Sequence, residues 1–175
     1  MEKQMKTERL LIRPIDEDDW TSIQAIWEDF NKSEYVIYDN TKNTDSDDVR
    51  NRIAKWANAT RSGNEHIFFV SCLGKKGIGF TSLNIRTDGY EIGYGFLDEY
   101  QGKGYAKESL VAISEYMKAI GAKKLLAGTA IKNLPSVGLL NSLGFELTGT
   151  ERISFHKDNE GNDIYFEGGN FEKKL

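Results

Sequence analysis

A six-residue segment in the middle of the chain, Gln101-Gly102-Lys103-Gly104-Tyr105-Ala106, combines residue types that bind phosphate. It lies where a predicted strand runs into a predicted helix, and the first N–H groups of a helix have no partner within it. Those groups and the positive end of the helix dipole suit a pyrophosphate. Gly102 and Gly104 lack the Cβ atoms that would keep phosphate oxygens from the backbone, and Lys103 adds a positive charge. The segment therefore predicts either a phosphate-binding turn or a plain strand-to-helix turn.

Two common phosphate-binding motifs do not fit this segment. A P-loop needs Ser or Thr after its Gly-Lys pair, but Gly104 follows Lys103 here. A dinucleotide fingerprint needs a third glycine at position 107, which is Lys107. The chemistry of the segment therefore depends on the elements that surround it.

The composition of the chain limits its class of function. Its 175 residues, 39% hydrophobic and 29% charged, fit one globular domain that spans 1–175. The net charge of −4 argues against nucleic acid as a partner, because too few cations exist to neutralise a row of phosphates. No apolar run approaches the roughly 20 residues of a membrane helix, so no membrane partner is expected.

Cysteine and histidine usage argues against a disulfide and against a metal. Cys72 is the only cysteine, so no internal disulfide can form and a reducing, cytoplasmic location is expected. It ends a strand-like run, which favours a buried structural thiol over a nucleophile. His66 and His156 have no Cys or His at ligand spacing, so no metal site is expected.

Apolar spacing predicts four helices. The first follows Asp16, a suitable N-cap, and its apolar residues recur at spacings of three and four. The positions that define the four helices are Trp20, Ile23, Trp27 and Phe30 for the first, a start at Ser46 for the second, Lys103–Ile120 for the third and Leu134–Leu143 for the fourth.

Seven runs rich in β-branched and aromatic residues predict strands. The segment Gly74-Lys75-Lys76-Gly77 joins two of them as a hairpin turn. The strands are Arg9–Arg13, His66–Leu73, Ile78–Arg86, Tyr90–Leu97, Lys123–Ile131, Phe145–Phe155 and Ile164–Phe171. Strands and helices alternate in an order that predicts a mixed sheet covered by helices, an α/β layered domain.

Several segments, taken together, resemble the GNAT superfamily of N-acetyltransferases. The phosphate-binding pattern of that superfamily is Gln or Arg, two residues, Gly, one residue, then Gly or Ala, and Gln101, Gly104 and Ala106 fill it. The other matching segments are Glu8–Pro14, Glu91–Tyr94 and Tyr100–Glu108, which resemble the RimJ/RimL-type branch that modifies ribosomal-protein N-termini, and Asn133–Ser136 with Leu143–Phe145, which resemble the second cofactor motif.

The resemblance implies a fold and a co-substrate. The fold would be α/β in a single domain, with a mixed, mostly antiparallel central sheet of about seven strands and about four flanking helices. The sheet would splay between its fourth and fifth strands. Acetyl-CoA would be the co-substrate, with no metal, and its pantetheine arm would lie in the gap between the strands that end at Leu97 and Ile131.

The resemblance also assigns cofactor contacts. The main chain of Phe96 and Leu97 would pair with the pantetheine amides, and the amides of Gly102 to Ala106 would hold the pyrophosphate. Asn133 would touch the pantetheine arm, although it also suits a helix N-cap. The full set of predicted cofactor residues is Phe96, Leu97, Gln101, Gly102, Lys103, Gly104, Tyr105, Ala106, Asn133 and Ser136.

Two residues are predicted to take part in acetyl transfer. An amine attacks a thioester only as the free base. Glu91, at the level of the strand carboxylate common in the superfamily, is the candidate general base and would work through water; the alternative is a solvated or salt-bridged strand residue. Ser136 would lie near the thioester sulfur, where it is the candidate donor to the departing thiolate; alternatively, the thiolate would leave without a donor, since a thiol is far more acidic than an alcohol. The frequent tyrosine acid of the superfamily corresponds to Leu140 here. Tyr94 and Tyr105 are alternative donors or packing residues.

These expectations describe an enzyme that acetylates a primary amine by direct attack on the thioester. The acceptor would be a peptide or protein N-terminus or a small molecule such as a polyamine or aminoglycoside, and a non-catalytic acyl-CoA sensor is the alternative from another class. The polar stretch Ser33 to Asn43 is either a loop with a few core anchors or part of the acceptor pocket. A monomer and a homodimer are both compatible with the sequence.

Overall fold

The described chain, residues 4–63 and 66–175 of a computed structural model, folds around one eight-stranded sheet. The strands are β1 (Met5–Lys6), β2 (Leu11–Pro14), β3 (His66–Leu73), β4 (Lys76–Arg86), β5 (Gly89–Phe96), β6 (Lys124–Ala130), β7 (Glu146–Lys157) and β8 (Asp163–Lys174). Their order across the sheet is β1-β2-β3-β4-β5-β6-β8-β7. Neighbouring strands are antiparallel except for β5 and β6, which are parallel.

Four α-helices pack on the sheet: α1 (Trp20–Lys32), α2 (Ser46–Ser62), α3 (Tyr105–Ala119) and α4 (Leu134–Ser142). The side chain of Asp45 accepts hydrogen bonds from the N–H groups of Asp47 and Asp48, and this N-cap explains why α2 begins at Ser46 as predicted. Across residues 4–63 and 66–175, no helix has the length and the apolar character that crossing a membrane requires.

The predicted fold class is confirmed, with eight strands instead of about seven. The additional strand, β1, has two residues and is too short to show an alternating pattern in the sequence. The last two strands, β7 and β8, have 12 residues each and extend beyond their predicted bounds. They form a long hairpin at one edge of the sheet.

The strands β5 and β6 separate shortly after they meet, which confirms the predicted splay. Their parallel pairing is limited to Tyr90 with Leu125 and Glu91 with Leu126. Beyond these pairs, β5 stays with β4 and β6 stays with β8, and we call the gap between them the slot. Because β5 and β6 are parallel, the helices that follow them, α3 and α4, begin on the two sides of the slot.

Apolar side chains cover both faces of the sheet. One cluster joins the sheet to α3 and α4, and its fully buried members include Leu110, Ile113, Leu125 and Leu140. A second cluster joins the opposite face to α1 and α2, and its members include Ile23, Trp27, Ile53 and Phe68. Cys72 belongs to the second cluster and is 3% exposed, so its predicted burial is confirmed. Burial raises the pKa of its thiol.

Candidate active site

The glycine turn, residues 101–106, connects the end of β5 to α3 and contains two glycines with left-handed backbone. Gly102 has φ +69° and Gly104 has φ +82°, a region that residues with a Cβ adopt only with strain. Gly104 is the N-cap of α3, and no side chain in the described part of the chain caps this helix end. The first N–H groups of α3 therefore have no intrahelical partner, and the turn presents them to an anion.

An arginine from the N-terminal segment packs against the glycine turn. The guanidinium of Arg9 lies 4.3 Å from the ring centre of Tyr105. It donates to the carbonyl oxygen of Lys103 at 3.0 Å and is ion-paired with Glu108 at 2.6 Å. A Cβ added to Gly104 would lie 3.3 Å from Arg9 Nη2. The sequence pattern did not reveal this contact, because 99 positions separate Arg9 from Glu108.

Glu108 anchors the N-terminal segment to the first turn of α3. Its carboxylate accepts hydrogen bonds from Thr7 Oγ1 at 2.5 Å and from the backbone N–H of Arg9 at 2.9 Å. Burial by itself raises the pKa of Glu108, but the hydrogen bonds from Thr7 and Arg9 outweigh burial and hold that pKa below its ordinary value. Arg9 neutralises the carboxylate, so this helix end stays suited to an anion.

Two side chains of the glycine turn fold back onto the backbone that precedes it. Lys103 Nζ donates to the carbonyl oxygen of Glu99 at 2.6 Å. Gln101 Nε2 donates to the carbonyl oxygen of Phe96 at 3.1 Å. The ammonium group of Lys103, predicted as the positive charge for a phosphate, is therefore hydrogen-bonded within the protein. Arg9 is a cation that lies beside Gly104.

The main chain of β5 is only partly free to pair with a ligand. The N–H of Leu97 donates to the carbonyl oxygen of Ile78 at 3.0 Å, so Leu97, predicted to pair with pantetheine, faces β4 instead of the slot. Alternate residues of a strand direct their main-chain groups to opposite neighbours, so Phe96 and Tyr94 face the slot. The carbonyl of Phe96 accepts from Gln101. In the described structure, the main-chain groups that face the slot beyond the last β5–β6 pair therefore include those of Tyr94 and the N–H of Phe96 as groups that a ligand can reach.

The start of α4 forms the opposite wall of the slot. Asn133 Oδ1 accepts a hydrogen bond from the N–H of Ser136 at 3.3 Å, so Asn133 is the N-cap of α4. Ser136 Oγ lies 2.8 Å from the hydroxyl of Tyr94. This hydrogen bond connects β5 with α4 across the slot. It brings a predicted catalytic residue, Ser136, together with a tyrosine whose role the sequence left open.

The other tyrosine positions have different surroundings. Leu140, at the position of the superfamily tyrosine, is 0% exposed and packs in the core beneath α4. Tyr105 lies between Arg9 and Tyr100 and has no hydrogen bond to the slot in the described structure. Burial raises the pKa of Tyr94, and the hydrogen bond with Ser136 offsets part of that rise. The phenol of Tyr94 therefore stays protonated at neutral pH.

Glu91, the predicted general base, lies at the last parallel pair before the slot opens. Its backbone neighbours are Leu126 on β6 and Asn84 on β4. Its carboxylate forms an ion pair with Arg86, and its side chain is 38% exposed. Solvent can therefore reach Glu91, but Arg86 competes with any other partner for the carboxylate.

The segment between α1 and α2 lies against the β7–β8 hairpin. Residues Glu34–Tyr38 form a short 3-10 helix, and none of them is buried, so they are not the core anchors that one interpretation predicted. His156 Nε2 on β7 lies 3.0 Å from the carbonyl oxygen of Val36 and 2.7 Å from that of Asp39. These contacts fix the segment to the hairpin.

A cavity of about 780 Å³ opens between this segment and the hairpin. The rings of Tyr38 and Phe166 meet edge to face in its wall, with their centres 5.2 Å apart. The charged residues of the lining are Lys132, Glu151, Arg152 and Glu167. Apolar walls with a few charged groups are typical of a site for a small ligand or a chain end.

Sequence comparison finds relatives among N-acetyltransferases. The family model described as an acetyltransferase (GNAT) domain matches residues 9–146. The uncharacterized N-acetyltransferase YnaD of Bacillus subtilis (strain 168) is 28% identical over 166 residues, which cover 91% of this chain and 92% of YnaD. The uncharacterized N-acetyltransferase p20 of Bacillus licheniformis is 26% identical over 151 residues, which cover 83% of this chain and 84% of p20.

Structural comparison finds the same fold in solved acetyltransferases. An acetyl transferase from Salmonella typhimurium, described as modifying the N-terminal serine of the 50S ribosomal subunit protein L7/L12, has a TM-score of 0.82 at 16% identity, over 97% of this chain and 96% of its own. The ribosomal L7/L12 alpha-N-protein acetyltransferase RimL, solved with coenzyme A, has a TM-score of 0.81 at 14% identity, over 99% of this chain and 98% of its own.

Proposed function

The chain belongs to the GNAT acetyltransferase family, and we propose that it transfers the acetyl group of acetyl-CoA to the primary amine of a protein or peptide N-terminus. Family membership confirms the predicted enzyme class, an N-acetyltransferase. The observation that carries the proposal is the glycine turn. Its uncapped amides begin α3 at the mouth of the slot between β5 and β6.

The proposed cofactor site uses backbone groups at one end and the slot walls along its length. The N–H groups from Gly102 to Ala106 bind the pyrophosphate. Arg9 adds a positive charge there, because the Lys103 ammonium group is hydrogen-bonded to the carbonyl oxygen of Glu99. The pantetheine arm pairs with the free main-chain groups of Tyr94 and Phe96. The uncapped amides and the left-handed glycines support this arrangement, because a Cβ at either glycine would restrict access to the backbone.

The proposed chemistry needs a base and a group that stabilises the leaving sulfur. Acetyl-CoA supplies a thioester, and the amine attacks its carbonyl carbon. Glu91 accepts the proton of the incoming ammonium group through water, so that the amine attacks as the free base. Ser136 donates a hydrogen bond to the sulfur, which keeps the electron pair when the carbon–sulfur bond breaks.

The acceptor class is proposed from the cavity beside residues 34–38. Its volume and its open position suit the end of a peptide chain. Glu151 and Glu167 can pair with a terminal ammonium group, and Lys132 and Arg152 can pair with peptide carbonyl or carboxylate groups. Fold neighbours described as acetylating N-termini of ribosomal proteins support the same class.

A panel of amines tests the proposed function. Release of the CoA thiol is followed with acetyl-CoA and peptides that begin with Ser, Ala or Met, and with the same peptides acetylated at the N-terminus as controls. Spermidine and an aminoglycoside represent the small-amine alternative. We expect thiol release with at least one free peptide and none with its acetylated counterpart.

The other outcomes distinguish the competing functions. Turnover with spermidine or the aminoglycoside, but with no peptide, would replace the peptide acceptor with a small amine. Calorimetry that detects acetyl-CoA binding without turnover for any amine would favour the acyl-CoA sensor. Failure to bind acetyl-CoA would contradict the proposed cofactor site.

A further inference from the structure

A hydrogen bond of 2.8 Å joins the hydroxyl groups of Tyr94 on β5 and Ser136 on α4. The two residues are 42 positions apart in the chain, and both are partly buried. In the described part of the structure, neither hydroxyl has another side-chain hydrogen-bond partner. The pair therefore forms a small polar group within the slot, where the thioester end of a bound acyl-CoA is proposed to lie.

The direction of this hydrogen bond decides what Ser136 can do. A serine hydroxyl has one proton to donate. If that proton is donated to Tyr94, the departing sulfur receives no hydrogen bond from Ser136. If Tyr94 donates to Ser136 Oγ, the serine proton is free to be donated to the sulfur.

We infer that Tyr94 is a positioning residue for the leaving group: its O–H donates to Ser136 Oγ and directs the Ser136 O–H toward the thioester sulfur. The inference rests on the proposed function, because it assigns the sulfur of acyl-CoA to the slot. The bond changes balance without any further reactant. The free amine nitrogen bonds to the carbonyl carbon and loses its second proton to water, the carbon–sulfur bond breaks, and the sulfur keeps the electron pair as a thiolate that the Ser136 O–H stabilises.

The surroundings of the pair support this direction. Tyr94 keeps its phenol proton throughout the neutral range. A phenol is a stronger hydrogen-bond donor and a weaker acceptor than an aliphatic hydroxyl, which favours donation from Tyr94 to Ser136 Oγ over the 2.8 Å contact. The N–H of Ser136 is held by Asn133 Oδ1, which fixes the backbone that carries the serine. Because Leu140 is completely buried, α4 supplies no tyrosine from that position, and Tyr94 brings a phenol to the start of α4 from the strand instead.

The acidity of the CoA thiol bound to the protein tests the inference without any acceptor. A hydrogen bond from Ser136 stabilises the thiolate and lowers the pKa of the thiol. We expect Tyr94→Phe to raise the pKa of bound CoA, followed by the ultraviolet absorbance of the thiolate, by about one pH unit. Ser136→Ala is expected to raise it by a similar amount, whereas Ser136→Thr, which keeps a hydroxyl, leaves it near the wild-type value.

Tyr116→Phe is the matched control. Tyr116 lies on α3, packs edge to face on Phe69 with ring centres 5.8 Å apart, and also has a pKa raised by burial. It lies near the C-terminal end of α3, at the opposite end of that helix from the glycine turn, so the loss of its hydroxyl tests the general effect of replacing a partly buried tyrosine by phenylalanine. We expect no change in the pKa of bound CoA.

A double mutant separates positioning from two independent effects. If Tyr94 acts through Ser136, Tyr94→Phe changes the pKa of bound CoA no further in a Ser136→Ala background. With an amine accepted in the panel, Tyr94→Phe should lower the single-turnover rate about tenfold and leave the acetyl-CoA KM unchanged.

Three results would overturn the inference. The first is an unchanged thiol pKa in Tyr94→Phe, and the second is additive effects on that pKa in the double mutant. The third is tighter CoA binding by Tyr94→Phe at an unchanged single-turnover rate, because that result would mean that the hydrogen bond only closes the empty slot. Each of them leaves the proposed function intact. Absence of CoA binding to the wild-type protein would overturn the proposed function and the inference together.

Discussion

The two ends of the proposed cofactor site are built in opposite ways. At the glycine turn, the proposed ligand groups are backbone amides from five consecutive residues, 102–106, and their geometry depends on two left-handed glycines. At the thioester end, the groups are side chains of Glu91, Tyr94 and Ser136, which belong to β5 and α4. The first end is a local structure, whereas the second exists only when the two walls of the slot are in place.

This difference predicts how each end responds to substitution. Most side chains in the glycine turn can change without loss of the amides, but a Cβ with charge at a glycine removes the site. At the thioester end, each side chain has one function and its removal changes one step. The following substitutions test this contrast.

Gly104→Asp is expected to have the largest effect. A carboxylate near the bound pyrophosphate is repelled by about 4 kcal/mol at 4 Å with an effective dielectric constant of 20, so the affinity for acetyl-CoA should fall at least about 100-fold. Calorimetry measures this loss. Gly161→Asp is the matched control, since Gly161 also has a left-handed φ, +87°, and lies in the turn between β7 and β8 with nothing within 4 Å of an added Cβ. Equal affinity in a folded Gly104→Asp variant would remove the glycine turn from the cofactor site.

Glu91→Gln is expected to lower turnover by about 100-fold, in the range of general base catalysis. The loss should be greatest at low pH, where the amine is protonated, and should shrink as the pH rises and the amine loses its proton without help. The pH–rate profile of the variant measures this dependence. Arg86→Gln is the control, because it breaks the same ion pair but keeps the carboxylate. The same loss in both variants would assign a structural role to Glu91.

Ser136→Ala is expected to reduce the single-turnover rate about tenfold while acetyl-CoA binds with unchanged affinity, because the lost hydrogen bond forms only as the sulfur gains charge. Rapid mixing of the enzyme–acetyl-CoA complex with the accepted amine measures this rate. A rate equal to that of the wild type would exclude Ser136 as the donor and would leave the thioester end without a group for the sulfur.

Glu108→Gln is expected to have the smallest effect on activity, a loss of affinity for acetyl-CoA of about threefold, because it loosens Arg9 beside the glycine turn without removing an amide. It should also lower Tm by about 3 °C at neutral pH. Since the pKa of Glu108 in the folded chain lies below its ordinary value of 4.5, its stabilising effect is complete above that value and is lost as the pH falls through the lower, folded-state pKa.

Thermal unfolding of the wild type and Glu108→Gln across the acidic range measures this effect. The difference in Tm should vanish at the lowest pH. Glu99→Gln is the control, because the ion pair of Glu99 with Lys76 is exposed on both sides and contributes little. A difference between wild type and Glu108→Gln that persists below the folded-state pKa would show that Glu108 acts by packing and not by charge.

The elements of the fold were largely predictable, because their patterns are local. His66–Leu73 coincides with β3, and Ser46 begins α2 as its cap requires. The end of β5, the glycine turn and α3 follow one another in the chain, so the resemblance to a phosphate-binding motif located this end of the site. The two-residue strand β1 was missed because it exists only through its pairing with β2.

Side-chain directions in the site were not predictable from the same patterns. Lys103 and Gln101 were assigned to the cofactor, but both donate to nearby backbone carbonyls. Leu97 was assigned to pantetheine, but its N–H belongs to the β4–β5 pairing. A pattern of residue types does not state which of several nearby acceptors a side chain or amide will reach.

The sequence by itself determined the family, the order of strands and helices, and the position of the glycine turn, since each depends on residues that are close together in the chain. Only the tertiary structure placed Arg9 on the first turn of α3 and Tyr94 opposite Ser136. These contacts join residues separated by 99 and 42 positions. The distances between these residues depend on how β5 and β6 diverge and on how the N-terminal segment packs. Neither arrangement can be read from the order of residue types along the chain.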